Sequence, residues 1–307
     1  MTGFPLAQII CYVSLLTFVA STMRRIVRCA TMPMHLRWEL YPVPHHAGRP
    51  SGGSYLEDLD GAAKYRNRNP MEPLRYMARE VFFFAQCYYH NRSLWYFTYP
   101  FHVGLFLLTA WCVLVLVGAI VLLNGGTVSG SSNAVGKTIY YLTLSIGGSG
   151  LLLGITGSIG LILKRATDRN LKDYTAPVDF FNIGLILAVL VGGLWTWLLS
   201  DPAFHMARDH LGNLLTFTPF KAMDPLMSVS IVLSSLFLAY MPFTHMSHAF
   251  TKFFIYHRIR WDDEPMVRGG LAEKQSRLLL DRRVSWSSPH VQGRRWIELI
   301  SKSRTEE

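Results

Sequence analysis

Basic charge is missing from the parts of this chain where most of its apolar residues sit. The 307 residues include 30 Lys/Arg against 20 Asp/Glu, a formal net charge of +10. Yet no Lys or Arg falls within residues 4–23, 95–123, 138–163, 178–200 or 225–250, and only Asp179 touches one of these stretches, at its edge. A soluble fold would scatter its charges through its elements. Each stretch reaches the roughly 20 residues that an α-helix needs to cross the hydrocarbon core. The segregation excludes one large soluble domain and predicts an all-α integral membrane protein with five transmembrane helices.

Cysteine is also scarce. The four residues Cys11, Cys29, Cys87 and Cys112 form no Cys-x-x-Cys pair, which argues against a cysteine-ligated iron–sulfur cluster or covalently attached haem within this chain. No internal repeat is visible, so the usual sequence sign of an inverted-repeat transporter is missing. The apolar stretches likewise lack the acidic and basic residues that line transport pathways.

The basic residues that are present set an orientation. Eleven lie between the first and second stretches, four between the third and fourth, and twelve after the fifth. The two remaining loops hold Lys137 alone, and Arg208 with Lys221. Positive charge accumulates on the cytoplasmic side, so the N-terminus is expected outside and the loops near 24–94 and 164–177 inside, with the tail. The basic balance therefore needs no nucleic-acid partner. The first stretch carries no Lys/Arg before its apolar core, and Arg24, Arg25 and Arg28 follow it. A cleaved signal has the reverse order, so this stretch reads as an uncleaved anchor. Cys29 and Cys87 then face a compartment where disulfides are rare.

Two domains are expected, a membrane bundle over 1–250 and a cytoplasmic tail over 251–307. Loop 24–94 is long, with a Trp/Tyr/Pro-rich run from Met34 to His45 and a Gly/Ser-rich break at 51–54. Its aromatic density favours a docking surface over a solvated connector. Leu74 to His90 predicts a helix lying at the membrane interface. In the third stretch Gly147, Gly148, Gly150, Gly154, Gly157 and Gly160 allow close approach of another helix or of a flat macrocycle. The tail mixes charged patches with isolated aromatics, as a segment folded against a partner does.

Ionisable side chains within a bilayer are costly and usually functional. Of 11 histidines, three fall in apolar stretches: His102 in the second, and His245 and His248 in the fifth. His102 lies about 10 Å in from the cytoplasmic side at about 1.5 Å per residue, and His248 lies near the cytoplasmic end of its helix. Two neutral imidazoles from different helices at one depth are what a bis-histidine haem requires. The plainer alternatives are a buried His102 bonded to a neighbouring carbonyl and an interfacial His248. His245, one turn from His248, suits a haem propionate or a quinone.

These residues resemble a family. Phe101-His102-Val103-Gly104 and Pro242-Phe243-Thr244-His245-Met246-Ser247-His248 are similar to the gamma subunit of respiratory nitrate reductase and its relatives. Those relatives include the membrane cytochrome b subunits of the Dsr, Tmc and Hmc transmembrane redox complexes and of membrane-bound heterodisulfide reductase. The runs Met34 to His45 and Arg260-Trp261-Asp262-Asp263-Glu264-Pro265 resemble the Tmc/Hmc branch, and the likeness extends over essentially the whole chain. It implies two stacked haems, each held by one histidine from the second helix and one from the fifth. The inner pair maps onto His102 and His248. The outer pair falls on Cys112 and Ser230, neither of which serves in a bis-histidine site, so one haem b is expected. Whether His205 or His210 replaces the missing pair stays open.

The family's quinol site includes a lysine near the outer start of the third helix, close to the place of Lys137. Without an outer haem, a quinone at Lys137 stands far from the inner iron, and a pocket towards His245 or the Met34–His45 loop is equally compatible. The resemblance thus implies an electron-transfer subunit in a bacterial or archaeal cytoplasmic membrane. It would work between menaquinone and a cytoplasmic iron–sulfur subunit like that of heterodisulfide reductase, in some relatives with a multihaem cytochrome c and other membrane subunits. The rival expectation is a haem-free membrane anchor that docks partners and shapes a quinone site.

Overall fold

The computed structural model describes residues 6–31, 71–220, 224–248, 250–251, 268–284, 289 and 291–302. The runs Met34 to His45 and Arg260 to Pro265, and most of the docking loop, lie outside them. Among the described residues every regular element is helical: α1 (Leu6–Thr31), α2 (Met71–Phe83), α3 (Ala85–His90), α4 (Arg92–Leu123), α5 (Ala134–Thr167), α6 (Arg169–Lys172), α7 (Pro177–Leu199), α8 (His205–Leu215) and α9 (Pro225–Tyr240). Two 3-10 turns follow, at Met241–Phe243 and His245–Ser247, and then α10 (Leu271–Leu280) and α11 (Trp296–Lys302).

Five of these helices are long and apolar enough to cross a membrane: α1, α4, α5, α7 and the segment Pro225–Phe243. Their outward faces carry large apolar side chains, such as Leu6, Leu16, Val113, Leu152, Leu198 and Val229, which suit contact with lipid. The chain is thus built as a multi-pass membrane protein. Starts are set by caps. The Asn91 side chain accepts the Leu94 N–H, Asn133 accepts from Gly136, and Asp224 accepts from Leu226 and Met227. Pro177 and Pro225 open α7 and α9, where a missing N–H costs nothing.

The fifth apolar stretch ends earlier than its length of 225–250 suggests. Regular α-helix stops at Tyr240 and tightens into the two 3-10 turns. Pro242 has no N–H to donate, and its ring crowds the carbonyl four residues back. His245 therefore stands in the second 3-10 turn, and His248 is the α-helical residue that follows that turn. The segment expected as one helix from Leu74 to His90 is divided: α2 and α3 are separated at Phe84, which adopts a left-handed backbone (φ 51°, ψ 48°).

The chain forms two compact units, one from Met1–Ala20 and Ala78–Thr244, the other from Ser21–Met77 and His245–Glu307. In the first unit α4 packs along α5, α5 against α7, and α7 against α9, while α8 lies on α4. The α4–α5 seam is a backbone contact. A Cβ on Gly104 would overlap the backbone N of Gly154 and stand 2.9 Å from the Gly150 carbonyl oxygen. One turn away, a Cβ on Gly157 would overlap the backbone of Phe101. Small residues at these places let the two helices meet where dispersion, rather than the hydrophobic effect, holds them. At α7–α9, Thr196 and Ser230 share a hydrogen bond of 2.7 Å, and the Tyr240 hydroxyl donates to Asn182 Oδ1 at 2.9 Å. Such interhelical bonds contribute about 0.6 kcal/mol each on average within a membrane.

In the second unit α10 and α11 pack together. The strand-like contact Arg283–Arg295 and the 2.7 Å ion pair Arg295–Asp281 tie the loop between them.

Gly104→Leu is expected to separate α4 from α5 and to lower the detergent melting temperature by several degrees. Gly125→Ala, at a turn with open space around it, should have only the small effect of its left-handed backbone (φ 78°). A differential scanning assay on both variants checks this; equal melting temperatures would contradict the seam.

Candidate functional site

His102 sits on α4 two residues before Gly104, so the α4–α5 seam fixes its depth and direction. It is half-buried, and its Nδ1 lies 2.8 Å from the Thr98 carbonyl oxygen, one turn back. A carbonyl only accepts, so Nδ1 carries the proton and the ring's lone pair resides on Nε2. This is how metal-binding histidines are held: one nitrogen donates to the backbone while the other is oriented and made more basic. The walls are aromatic. The Phe84 ring lies 4.4 Å from the imidazole at a 40° tilt, and Phe101 lies edge-on at 5.0 Å.

His248 repeats the arrangement. Its Nδ1 donates to the His245 carbonyl at 2.9 Å, which again leaves the lone pair on Nε2. Both His245 and His248 are exposed, and the bond between them spans the 3-10 turn His245–Ser247. His102 belongs to the first compact unit, His245 and His248 to the second, and each is described in its own unit. On both rings Nδ1 is committed to a backbone carbonyl, which leaves Nε2 as the nitrogen with the lone pair.

The positions of an outer pair do not fit. Cys112 is exposed on α4. Ser230 is buried, and its hydroxyl is engaged with Thr196 and with the Gly192 carbonyl. The space near that end is filled by aromatics. Phe204 is buried, lies 5.1 Å from the Trp111 ring and stacks at 5.8 Å on Trp197. Trp111 and Trp197 reach so close to Gly147 and Gly148 that a Cβ at either glycine would stand about 2.5 and 2.6 Å from an indole carbon. These two glycines thus accommodate indoles rather than a porphyrin.

Lys137 is exposed in the first turn of α5. Gly154, at the level of Gly104, lies 17 residues further along α5, roughly 25 Å at the rise of an α-helix. The structure therefore does not bring Lys137 to His102. His205 is also exposed, 6.4 Å from the Tyr140 ring.

His210 has a structural place. Its ring packs 4.0 Å from Phe220, Nε2 lies 3.9 Å from Cys11 Sγ, and Nδ1 is buried with no hydrogen-bond partner. Around it, Gln8 of α1 is fully buried, donates to the Thr218 carbonyl at 2.9 Å and accepts from Phe220 N–H at 3.1 Å. The Tyr12 hydroxyl donates to the Leu214 carbonyl at 2.8 Å. Gln8, Tyr12 and Cys11 thereby fasten α1 to the segment after α8.

Sequence reading missed two residues. Arg208 of α8 is fully buried, and its guanidinium covers Gly118 of α4. It donates to the Ala203 carbonyl at 2.9 Å, while Nε and Nη2 have no partner. As the lone arginine of an extramembrane loop it gave no signal of burial. Phe84 was legible only as one of three successive phenylalanines, with nothing to mark the left-handed break.

Burial pushes the His210 imidazole down from 6.5 to about 4. Between those values the unfolded chain takes up a proton that the folded chain refuses, so stability falls as pH drops from 6.5 towards 4. Comparing melting temperatures at pH 7.5 and pH 5 should show a larger acid loss in the natural protein than in His210→Phe. Equal losses would remove His210 as the cause.

No protein-family model, curated protein or solved structure matches this chain.

Proposed function

We propose that the chain is the membrane electron-transfer subunit of a redox complex, with one b-type haem held by His102 and His248. The observation that carries this reading is the shared state of the two imidazoles: His102 donates Nδ1–H to Thr98 and His248 to His245, at 2.8 and 2.9 Å. A structural histidine bonded to a backbone carbonyl holds the same tautomer; what supports a ligand role is that the nitrogen left with the lone pair is Nε2 on both rings. A haem bound there would supply reversible one-electron chemistry at its iron. The protein's own part is to orient the two rings through their carbonyl bonds and to line His102 with the rings of Phe84 and Phe101.

The segregation of Lys and Arg supports an orientation with the N-terminus outside and the tail in the cytoplasm. Electrons would then pass between menaquinone and a cytoplasmic iron–sulfur subunit of the heterodisulfide reductase kind, with the tail and the loop over 24–94 as the docking surface. His245 and Lys137 are the candidates for quinone contact. Lys137 lies roughly 25 Å along α5 from the level of Gly104 and would need a further carrier. The lack of a histidine at Cys112 and Ser230, together with the aromatic filling by Trp111, Phe204 and Trp197, supports one haem rather than two.

A dithionite-reduced minus oxidised spectrum of the purified chain, with haem quantified per protein, tests the proposal. A b-type signal near one haem per chain, abolished in His102→Ala, is the expected result. A folded preparation without haem would favour the rival reading, a haem-free anchor.

A further inference from the structure

The break at Phe84 is built with more care than a simple helix end needs. A phenylalanine with φ 51° and ψ 48° sits in the left-handed region that L-residues disfavour, and such a residue persists only when its surroundings fix it. Here three contacts do so. The Trp95 indole N–H, from the first turn of α4, donates to the Phe83 carbonyl at 2.9 Å. The Glu80 carboxylate accepts the Gln86 N–H at 3.0 Å, and the Glu80 carbonyl accepts the Phe84 N–H at 3.2 Å. The segment also runs back along α4: Tyr88 lies 5.2 Å from Trp95, Phe84 lies 4.4 Å from His102, and Phe82 lies 6.1 Å from Phe106. Residues 82–88 therefore run antiparallel to the start of α4, and their one left-handed residue is the one whose ring meets His102.

We infer that Phe84 is a positioning residue for His102: the left-handed break delivers its ring against the imidazole, and with the Thr98 carbonyl it fixes the plane of that ring. The carbonyl bond alone restrains one nitrogen but leaves the ring able to rock about that bond. The phenyl face, at a 40° tilt, blocks that motion on one side. The functional consequence rests on the haem reading, because the plane of an axial imidazole affects the electronic structure of the iron it binds. The contact itself does not rest on it.

The test uses the full chain in detergent and two substitutions. Phe84→Gly keeps the left-handed backbone, since glycine adopts it without penalty, and removes the ring. Phe84→Tyr keeps the ring. In haem-free protein, diethyl pyrocarbonate modification of His102, followed by mass spectrometry with the exposed His90 as internal reference, is expected to speed up several-fold in Phe84→Gly and to stay at the natural rate in Phe84→Tyr. In haem-loaded protein, Phe84→Gly is expected to shift the largest g-value of the low-spin ferric signal while haem stoichiometry is unchanged. Equal His102 modification rates in all three proteins, with intact cooperative melting, would overturn the inference. Should Phe84→Gly melt without cooperativity, Phe84→Leu, which keeps apolar bulk without a ring plane, takes its place in the same comparison. Natural protein that binds no haem would sink the haem reading alone, and the modification rates would still decide the role of Phe84.

Discussion

The backbone-on-backbone crossing of α4 and α5 is the contact from which the site follows. Gly104 meets Gly154, and Gly157 meets Phe101, with no room for a Cβ at either glycine. In a bilayer, lipid competes with protein for every apolar surface, so helices associate where they fit most closely. That crossing sets the rotation of α4, and the rotation sets where His102 points. Thr143 and Ser158, buried on α5, return their hydroxyls to their own helix at 2.6 and 2.7 Å, so no unsatisfied hydroxyl disturbs the seam.

The two ends of the first unit are occupied differently. At the end with α8, aromatic rings fill the interior: Trp111 meets Phe204 edge-on, Phe204 stacks on Trp197, His210 packs on Phe220, and Arg208 lies over Gly118. A guanidinium fully buried with two unpartnered nitrogens is a costly way to hold a helix in place, and it fastens α8 to α4. At the other end the side chains around the imidazole are aromatic but the ring itself is a hydrogen-bonded, half-exposed polar group. The contrast is between an end filled by aromatic rings and an end where a half-buried imidazole, held by the Thr98 carbonyl, lies among aromatic rings.

Most of the architecture was legible from charge alone. Five apolar stretches without Lys or Arg became five helices of spanning length, because a helix that satisfies its own backbone bonds is the structure a bilayer tolerates. The segment from Leu74 to His90 was also read as helical. Three features were not legible. The early end of α9 came from Pro242, whose effect on helix geometry was outweighed in the reading by the apolar run around it. The left-handed turn at Phe84 depends on Trp95 and Glu80, contacts that only the folded chain brings together. The burial of Arg208 depends on α8 folding onto α4, where the sequence offered only a polar loop. Of the candidate site, His102 and His248 were singled out as polar residues of apolar stretches, while the tautomer of each is visible only in the hydrogen bonds to Thr98 and His245.

The most direct measurement of the central claim is the near-infrared magnetic circular dichroism of the oxidised protein, which distinguishes axial ligands of low-spin ferric haem by their charge-transfer energy. A bis-imidazole signature is predicted, retained in His245→Ala and lost in His248→Ala. A methionine–histidine signature, or a bis-imidazole signature that survives His248→Ala, would contradict the account.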